Sequence, residues 1–107
     1  MLDEQEFGRA VESDLTKLKQ HLIARLEGED PGFDIEEQSG AVNVLFEQLG
    51  DKFVVTPNTP VRQIWISALA TSFKLDWDAT VNGFVLPRTG EALISLVDRL
   101  IREHLED

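Results

Sequence analysis

The chain has 107 residues, a length typical of one domain, which we place over residues 1–107. With 20 acidic and 10 basic side chains its net charge is −10, which argues against nucleic-acid binding because proteins that hold phosphate backbones carry the opposite bias. The absence of cysteine excludes disulfides, a thiolate metal site and a Cys nucleophile. No apolar run reaches the length of a membrane span, and the acidic start MLDEQEF lacks the pattern of a secretion leader, so we expect a cytoplasmic protein without membrane contact.

A long amphipathic helix is predicted at the start of the chain. Asp3 can cap it, and Glu6 can be the reciprocal partner of a capping box. Gly28 is the predicted stop signal. Apolar residues at helical spacing predict one buried stripe, made of Phe7, Val11, Leu15, Leu18, Leu22, Ile23 and Leu26.

Short segments of alternating polarity follow, which is typical of strands with one buried face. The segments are FDIEE, AVNVLFE, KFVV, RQIWIS, SFKLDW and FVL. Ser39-Gly40 and Asn82-Gly83 predict tight turns. The two prolines of TPNTP lack ladder donors, so we predict that this segment lies outside any central strand.

A second helix is predicted near the end of the chain, with Thr89 as its cap. Its apolar face is formed by Leu93, Leu96, Val97, Leu100 and Ile101. The order helix, about six strands, helix, with short connections, predicts an α+β fold. It is a two-layer sandwich in which an antiparallel sheet of about six strands carries both terminal helices on one face.

Histidine is too scarce to build a catalytic or metal centre. His21 and His104 fall in different predicted helices, and neither has a second histidine at metal-ligand spacing. Both are therefore interpreted as surface or flanking residues. The glycines are scattered singly, so no phosphate-binding loop is present, and we expect a protein that is not an enzyme.

Carboxylates are concentrated along the first helix and the first strand. One interpretation is a ridge that holds hard cations loosely through oxygen ligands, with water completing the shell. The other is a solvated surface that keeps the protein dissolved. The candidate metal-binding residues are Glu12, Asp14, Glu27, Glu29, Asp30, Asp34, Glu36 and Glu37.

Trp65 interrupts the expected pattern. Alternation puts Ile64 and Ile66 on one side of the strand and Trp65 on the other, whereas Trp77 shares a side with Leu75. Either a bulge shifts the register and Trp65 belongs to the core, or Trp65 stands on an open sheet face as a contact anchor. Tryptophan is among the residues most enriched at interface hot spots, and the pattern leaves both interpretations open.

The run TP, VRQIWIS and SFKLDWD resembles the central motif of the frataxin family. The acidic first helix, DIEE, SGAVNVLF and PRTGEALISLVDRL follow in that family's order, over residues 3 to 105. The resemblance implies an α-β sandwich that acts in iron–sulfur cluster assembly. It implies a regulator that binds the cysteine desulfurase and the iron–sulfur scaffold protein, and that binds iron weakly through acidic residues of the first helix and strand.

The same resemblance assigns roles to single residues. Gln63, Ile64 and Trp65 match the family's QIW motif, which implies an outward partner contact for Trp65 and a core position for Ile64. Lys74 matches a basic partner-contact position. Gln63 and Asn43 complete the predicted partner-binding set. The resemblance also implies a packed position for Trp77, and Phe84 stands where many members have a third tryptophan.

Two other functions remain as alternatives. The first is an acidic adaptor or inhibitor that caps a basic protein partner without metal. The second is a ferroxidase or iron-storage protein. The expected oligomeric state is a monomer.

Overall fold

The computed structural model describes residues 2–28 and 31–106. Its helices are α1 (Glu4–Leu26) and α2 (Leu93–Glu106), and a short 3-10 helix covers Thr59–Val61. The strands are β1 (Asp34–Gln38), β2 (Ala41–Phe46), β3 (Asp51–Asn58), β4 (Gln63–Ala68), β5 (Thr71–Asp78) and β6 (Gly83–Val85). They form one antiparallel sheet in the order of the chain, which confirms the predicted antiparallel sheet of about six strands.

The core lies between the two helices and one face of the sheet. Buried side chains of both helices and of alternate strand residues form a single cluster, so both helices cover the same face, as predicted. Its most deeply buried members include Leu18, Leu22, Val44, Val55, Ile64, Leu75, Leu96 and Ile101. None of the helices described is long and apolar enough to cross a membrane.

Helix α1 begins as predicted but buries a narrower stripe. The Glu6 amide donates to Asp3 Oδ1 at 2.8 Å and the Asp3 amide donates to Glu6 Oε1 at 3.0 Å, which completes the capping box. The prediction for Ile23 was wrong, because its side chain is 48% exposed. One residue beyond Leu22, Ile23 is rotated by about 100° around the helix and so leaves the face that meets the sheet.

Of the two predicted tight turns, one is confirmed. Ser39 and Gly40 have φ of 52° and 82° and form the two-residue turn that joins β1 to β2. The prediction of a tight turn at Asn82-Gly83 was wrong. The loop after β5 spans residues 79–82, and Gly83 is already the first residue of β6, where it pairs with Asp78 of β5. Asp78 stabilises this longer loop by accepting hydrogen bonds from the Thr80 amide and hydroxyl.

The exclusion of TPNTP from a central strand was wrong for its first half. Pro57 lies in β3 opposite Ile64. The ladder with β2 has already ended at Val55, so at Pro57 the strand has β4 as its only neighbour among the described strands. The register of the β4–β5 hairpin directs the backbone N–H and C=O of Ile64 towards β5, so Ile64 does not form backbone hydrogen bonds with Pro57 on its other side. The Pro57 nitrogen therefore points to the side that β2 has already left, where no N–H is needed. Pro60 lies in the 3-10 helix, outside the sheet as predicted.

The predicted cap of α2 was also wrong. The helix begins at Leu93, because Val85 pairs with Ala92 and keeps the backbone extended up to that point. Thr89 instead orders the connecting loop, where its hydroxyl accepts from the Glu91 amide at 3.1 Å and donates to Glu91 Oε1 at 2.9 Å. The predicted apolar face of α2 is confirmed, with Leu100 partly buried and its other members fully buried.

The two histidines have different surroundings. His21 lies at the flank of α1, where its Nε2 is 2.7 Å from Asp98 Oδ2 of α2. The surface or flanking position predicted for His104 was wrong, because its side chain is only 14% exposed and packs edge-on against Phe46 at 4.6 Å between ring centroids. The His104 ring packs at the end of the core beside β2 and β3. The spacing of residues along α2 alone did not show that this position is partly buried.

Candidate functional site on the open sheet face

Alternate residues of the strands point away from both helices and form what we call the open face. The strand register fixes its membership, because directly paired residues of an antiparallel sheet point to the same side. Its members include Asp34, Glu36, Asn43, Val54, Thr56, Gln63, Trp65, Ser67, Ser72, Lys74 and Asp76.

Trp65 lies on this open face. It pairs with Thr56 of β3 and Lys74 of β5, while its neighbours Ile64 and Ile66 are 0% and 1% exposed on the helix side. The ladder runs through β4 without a bulge, so the core interpretation of Trp65 was wrong. Its indole is half-buried among its neighbours on the sheet surface.

Polar contacts hold the indole in one orientation. Trp65 Nε1 donates to Gln63 Oε1 at 2.8 Å, and Gln63 Nε2 donates to Asp76 Oδ1 at 2.9 Å. Lys74 Nζ lies 4.9 Å from the centroid of the Trp65 ring, within range of a cation–π interaction. We call Gln63, Trp65, Lys74 and Asp76 the open-face cluster. An aromatic ring fixed in this way loses little side-chain freedom when a partner covers it.

Sequence reasoning missed Asp76, although a signal for it exists. Asp76 reaches Gln63 only because the two residues are directly paired across the β4–β5 hairpin. Counting outwards from the loop of Leu69 and Ala70 gives this pairing, but Leu69 takes a φ of 58° without the glycine that marks such turns. The hairpin register was therefore hard to place from composition.

Asn43 shares the open face but stands apart from the cluster. It pairs with Val54 on β3, and the strand β3 separates it from Trp65 on β4. Its residue exposure is 6%, and its Oδ1 has no hydrogen-bond partner among the residues that the structure describes. A partner contact at Asn43 stays a prediction.

The predicted carboxylate ridge is distributed over several surfaces. Glu12 and Glu27 are both exposed, but they lie 15 residues apart along α1 and at its end, which corresponds to about 22 Å. Asp14 turns towards the sheet, where its Oδ2 accepts a hydrogen bond from the Phe84 amide at 2.9 Å and so fastens β6 to α1.

The carboxylates of β1 are divided between its two sides. Glu37 pairs with the buried Val42 and forms an ion pair with Lys19 of α1, whereas Asp34 and Glu36 are on the open face. Glu29 and Asp30 lie outside the described residues. Within residues 2–28 and 31–106, no three Asp, Glu or His side chains are grouped closely enough to hold a metal ion.

The groups whose pKa is shifted lie in, or form hydrogen bonds to, the two loops on either side of β6. A hydrogen bond from the Thr80 hydroxyl lowers the pKa of Asp78 below its ordinary value. The hydrogen bond from Arg99 lowers the pKa of Glu91, and the same contact raises the pKa of Arg99. These groups stabilise the two connections that flank β6, and none of them was predicted as a site residue.

Comparisons with known proteins agree on a family. A family model described as a frataxin-like domain matches residues 1–107. The iron-sulfur cluster assembly protein CyaY of Azotobacter vinelandii is 27% identical over 88 residues, which cover 82% of this chain and 79% of the relative. The mitochondrial frataxin of Arabidopsis thaliana is 29% identical over 113 residues, covering 100% of this chain and 56% of the relative.

A solved structure supports the architecture. A frataxin from Psychromonas ingrahamii superposes with a TM-score of 0.77, covering 99% of this chain and 94% of the other. Its sequence identity to this chain is 15%, so the similarity bears on the fold alone.

Proposed function

Since the chain belongs to the frataxin-like family, we propose that it serves iron–sulfur cluster assembly as a regulator that binds the assembly complex without catalysing a reaction itself. The partners are a cysteine desulfurase and the scaffold protein on which the cluster is built. The chain acts as a monomer in the cytoplasm. Two of its surfaces make the contacts, and they differ in chemistry.

The observation that carries this proposal is the position of Trp65. A large aromatic side chain on the helix-free side of the sheet contributes little to the core, whose neighbouring positions are filled by Ile64 and Ile66. Gln63 and Lys74 hold its ring in place, so it is ready to fill a pocket of a partner. Tryptophan is among the side chains that most often dominate binding energy in interfaces. The open-face cluster is the proposed contact with the scaffold protein.

The second is a broad acidic surface, made of exposed carboxylates that are spread over α1, its end and β1 and are not grouped at one point. Glu12, Glu27, Asp34 and Glu36 are exposed, and no ion pair engages them within the part of the chain that the structure describes. With a net charge of −10, this surface attracts a basic patch, and we assign that patch to the cysteine desulfurase. Such an encounter is fast at low salt and slows as ionic strength rises.

Iron is proposed as cargo that associates loosely with the acidic surface. The described carboxylates do not form a closed site, and Asp34 and Glu36 are the two that share the open side of one strand. Two carboxylates leave most positions around a hard cation to water, which is consistent with weak binding. Ferroxidase or storage chemistry needs a grouped ligand set, which the described residues do not supply, so we rank that alternative below the regulator.

The experiment that tests this function measures sulfide release by the source organism's cysteine desulfurase, with and without its scaffold protein. We expect the wild-type chain to change the rate of sulfide release even when there is less than one copy of it per desulfurase. This change should disappear as ionic strength rises. Trp65→Ala should lose the part of the effect that requires the scaffold. Val81→Ala, which removes a 60% exposed apolar side chain away from the cluster, is the matched control and should behave as wild type. A wild-type chain that neither binds the two proteins nor alters the rate contradicts the proposal.

A further inference from the structure

Among the strands that the structure describes, none pairs with the outer edge of β5 along its first half. Strand β6 covers β5 only at residues 76–78. After Val85 the chain turns away through Leu86–Gly90, where the Gly90 amide donates to the Leu86 carbonyl at 2.7 Å. Within the described part of the chain, no backbone hydrogen bond outside the β4–β5 ladder reaches residues 71–75. The first five residues of β5 are therefore an open sheet edge.

Hairpin geometry identifies the backbone groups that face outwards. The two-residue loop between β4 and β5 is closed by the pair Ala68 and Thr71, which exchange hydrogen bonds. Because hydrogen-bonded and non-hydrogen-bonded pairs alternate along an antiparallel ladder, Phe73 also faces β4. The N–H and C=O groups of Ser72 and Lys74 then point to the open edge, where they have no strand to pair with.

A groove of about 540 Å³ runs along this edge. Four consecutive residues of β5, Thr71 to Lys74, line it, although their side chains alternate between the two faces of the sheet. The groove must therefore follow the edge of the strand and cannot lie over one face. Its other wall is the loop of Leu86, Pro87, Arg88 and Thr89, together with Arg99 of α2.

The groove is basic in an acidic protein. Lys74, Arg88 and Arg99 line it, and none of the described Asp or Glu residues does. Arg99 forms ion pairs with Glu91 and Glu103. Arg88 is exposed, and Lys74 contacts the Trp65 ring through a cation–π interaction. Phe73 and Leu86, both half-buried, supply apolar surface. At physiological salt a charge acts over about 8 Å, so Lys74 and Arg88, which form no ion pair within the described residues, are the cations that can attract an acidic ligand here.

We propose that this edge binds an extended acidic segment of a partner protein, which adds to the sheet as a seventh strand beside residues 71–75. Its backbone pairs with Ser72 and Lys74, as in other cases of strand addition to a sheet edge. Side chains of an added strand alternate, so one set meets Lys74 on the open face and the other meets Phe73 and Leu86. The segment therefore alternates acidic with apolar residues.

A second copy of this chain fits the groove less well. Its acidic edge strand, β1, is tied to α1 by the ion pair of Glu37 with Lys19, so it would bring a helix against the wall at Leu86–Thr89. A single extended segment has no such bulk. Self-association is accordingly an outcome of the test below.

The probe is a short synthetic peptide of alternating valine and glutamate with blocked ends. We call this the valine peptide, and its control is the same sequence with every glutamate N-methylated, which keeps the charge but removes the backbone donors that face Ser72 and Lys74. We expect the valine peptide to bind at least about tenfold more tightly by fluorescence anisotropy, a difference of about 1.4 kcal/mol. Amide hydrogen exchange of Ser72 and Lys74 should slow when it binds. Equal binding of the two peptides, or unchanged exchange at both amides, overturns the proposal.

Substitutions separate the edge from the open-face cluster, since the ones chosen leave Gln63, Trp65 and Lys74 intact. Arg88→Glu should weaken the valine peptide at least about tenfold, whereas Arg102→Glu, the same charge change on an exposed part of α2, should leave it unchanged. Ser72→Pro should also weaken binding, and if that variant does not fold, Arg88→Glu and the exchange data decide. Equal effects of Arg88→Glu and Arg102→Glu contradict the proposal. Concentration-dependent sedimentation of the free chain that Arg88→Glu abolishes assigns the edge to a second copy and also contradicts it.

Discussion

Strand β4 shows in three consecutive residues how differently the two faces of this sheet are built. Ile64 and Ile66 are 0% and 1% exposed beneath the helices, and Trp65 between them lies on the open face under Lys74. The helix side is filled by apolar side chains, with a polar contact at its margin. The open side carries an aromatic ring fixed by hydrogen bonds and charges. One strand therefore contributes to stability with one set of side chains and to the proposed recognition with the other.

The carboxylates of β1 show the same division. Glu37 faces α1 and is neutralised by Lys19, whereas Glu36 beside it in sequence points to the open face and has no such partner in the described structure. Acidic residues that are consecutive in the sequence therefore lie on two different faces of the sheet. Charge that is paired on the helix side contributes to packing of the helix, and charge on the open side stays free for ligands.

The largest effect is expected for a substitution on the helix side. Phe84 is 0% exposed, and its ring lies 5.8 Å from that of Phe7 and 5.5 Å from that of Trp77. Phe84→Ala leaves a cavity beneath both helices and should lower the free energy of unfolding by about 3–5 kcal/mol. Urea unfolding followed by fluorescence measures it. A loss below about 1 kcal/mol would contradict the packing described here.

An intermediate effect is expected at the connection before α2. The pKa of Glu91 is lowered, chiefly by the hydrogen bond from Arg99, so its ionised form stabilises the fold above its ordinary pKa of 4.5. That contribution is lost as the pH falls through the lowered pKa. Glu91→Gln should therefore destabilise the chain at neutral pH by about 1 kcal/mol or less and converge with wild type in acid.

The control for this pH series is Glu12→Gln, which removes an exposed carboxylate from α1. It relieves repulsion in a chain of net charge −10 and should not destabilise the fold at neutral pH. Denaturant unfolding of both variants from neutral to acidic pH gives the comparison. If the loss of unfolding free energy in Glu91→Gln grew as the pH fell, it would contradict the stabilising role given to the ionised Glu91.

The smallest effect should come from cations. Ferrous or other divalent ions should raise the melting temperature more than monovalent salt at equal ionic strength, because carboxylates on the open face can share an ion. Asp34→Asn combined with Glu36→Gln should remove most of the excess. Glu37→Gln, on the helix side, should leave the excess in place although it breaks the ion pair with Lys19. A divalent effect equal to simple screening would mean that this surface is only solvated.

Much of the fold could be predicted because it depends on local periodicity. Alternation placed Ile64, Trp65 and Ile66 on their correct sides, and the capping box fixed the start of α1. The errors at Pro57 and Thr89 have a different origin. The error at Pro57 depends on where the ladder with β2 ends, and the error at Thr89 depends on the pairing of Val85 with Ala92. The residues of one segment do not show such contacts with another.

The site was predictable in part for the same reason. Gln63, Trp65 and Lys74 come together as neighbours of one hairpin, so a motif in one stretch of sequence identified them. The acidic ridge could not be assembled in this way. Asp14 and Glu37 are each drawn into contacts with another element, at Phe84 and Lys19, and helical or strand spacing alone does not show such contacts.

The most direct test of the contrast between the faces is to compare Trp65→Ala with Trp77→Ala in two measurements, the free energy of unfolding and the affinity for the desulfurase–scaffold complex. We predict that Trp65→Ala costs no more than about 1 kcal/mol in unfolding but weakens the complex about thirtyfold. Trp77, packed against Phe84, should show the reverse, with the larger loss of stability and little change in affinity measured on folded protein. Equal destabilisation by the two substitutions, with unchanged affinity for Trp65→Ala, would contradict the assignment of the open face as the binding surface.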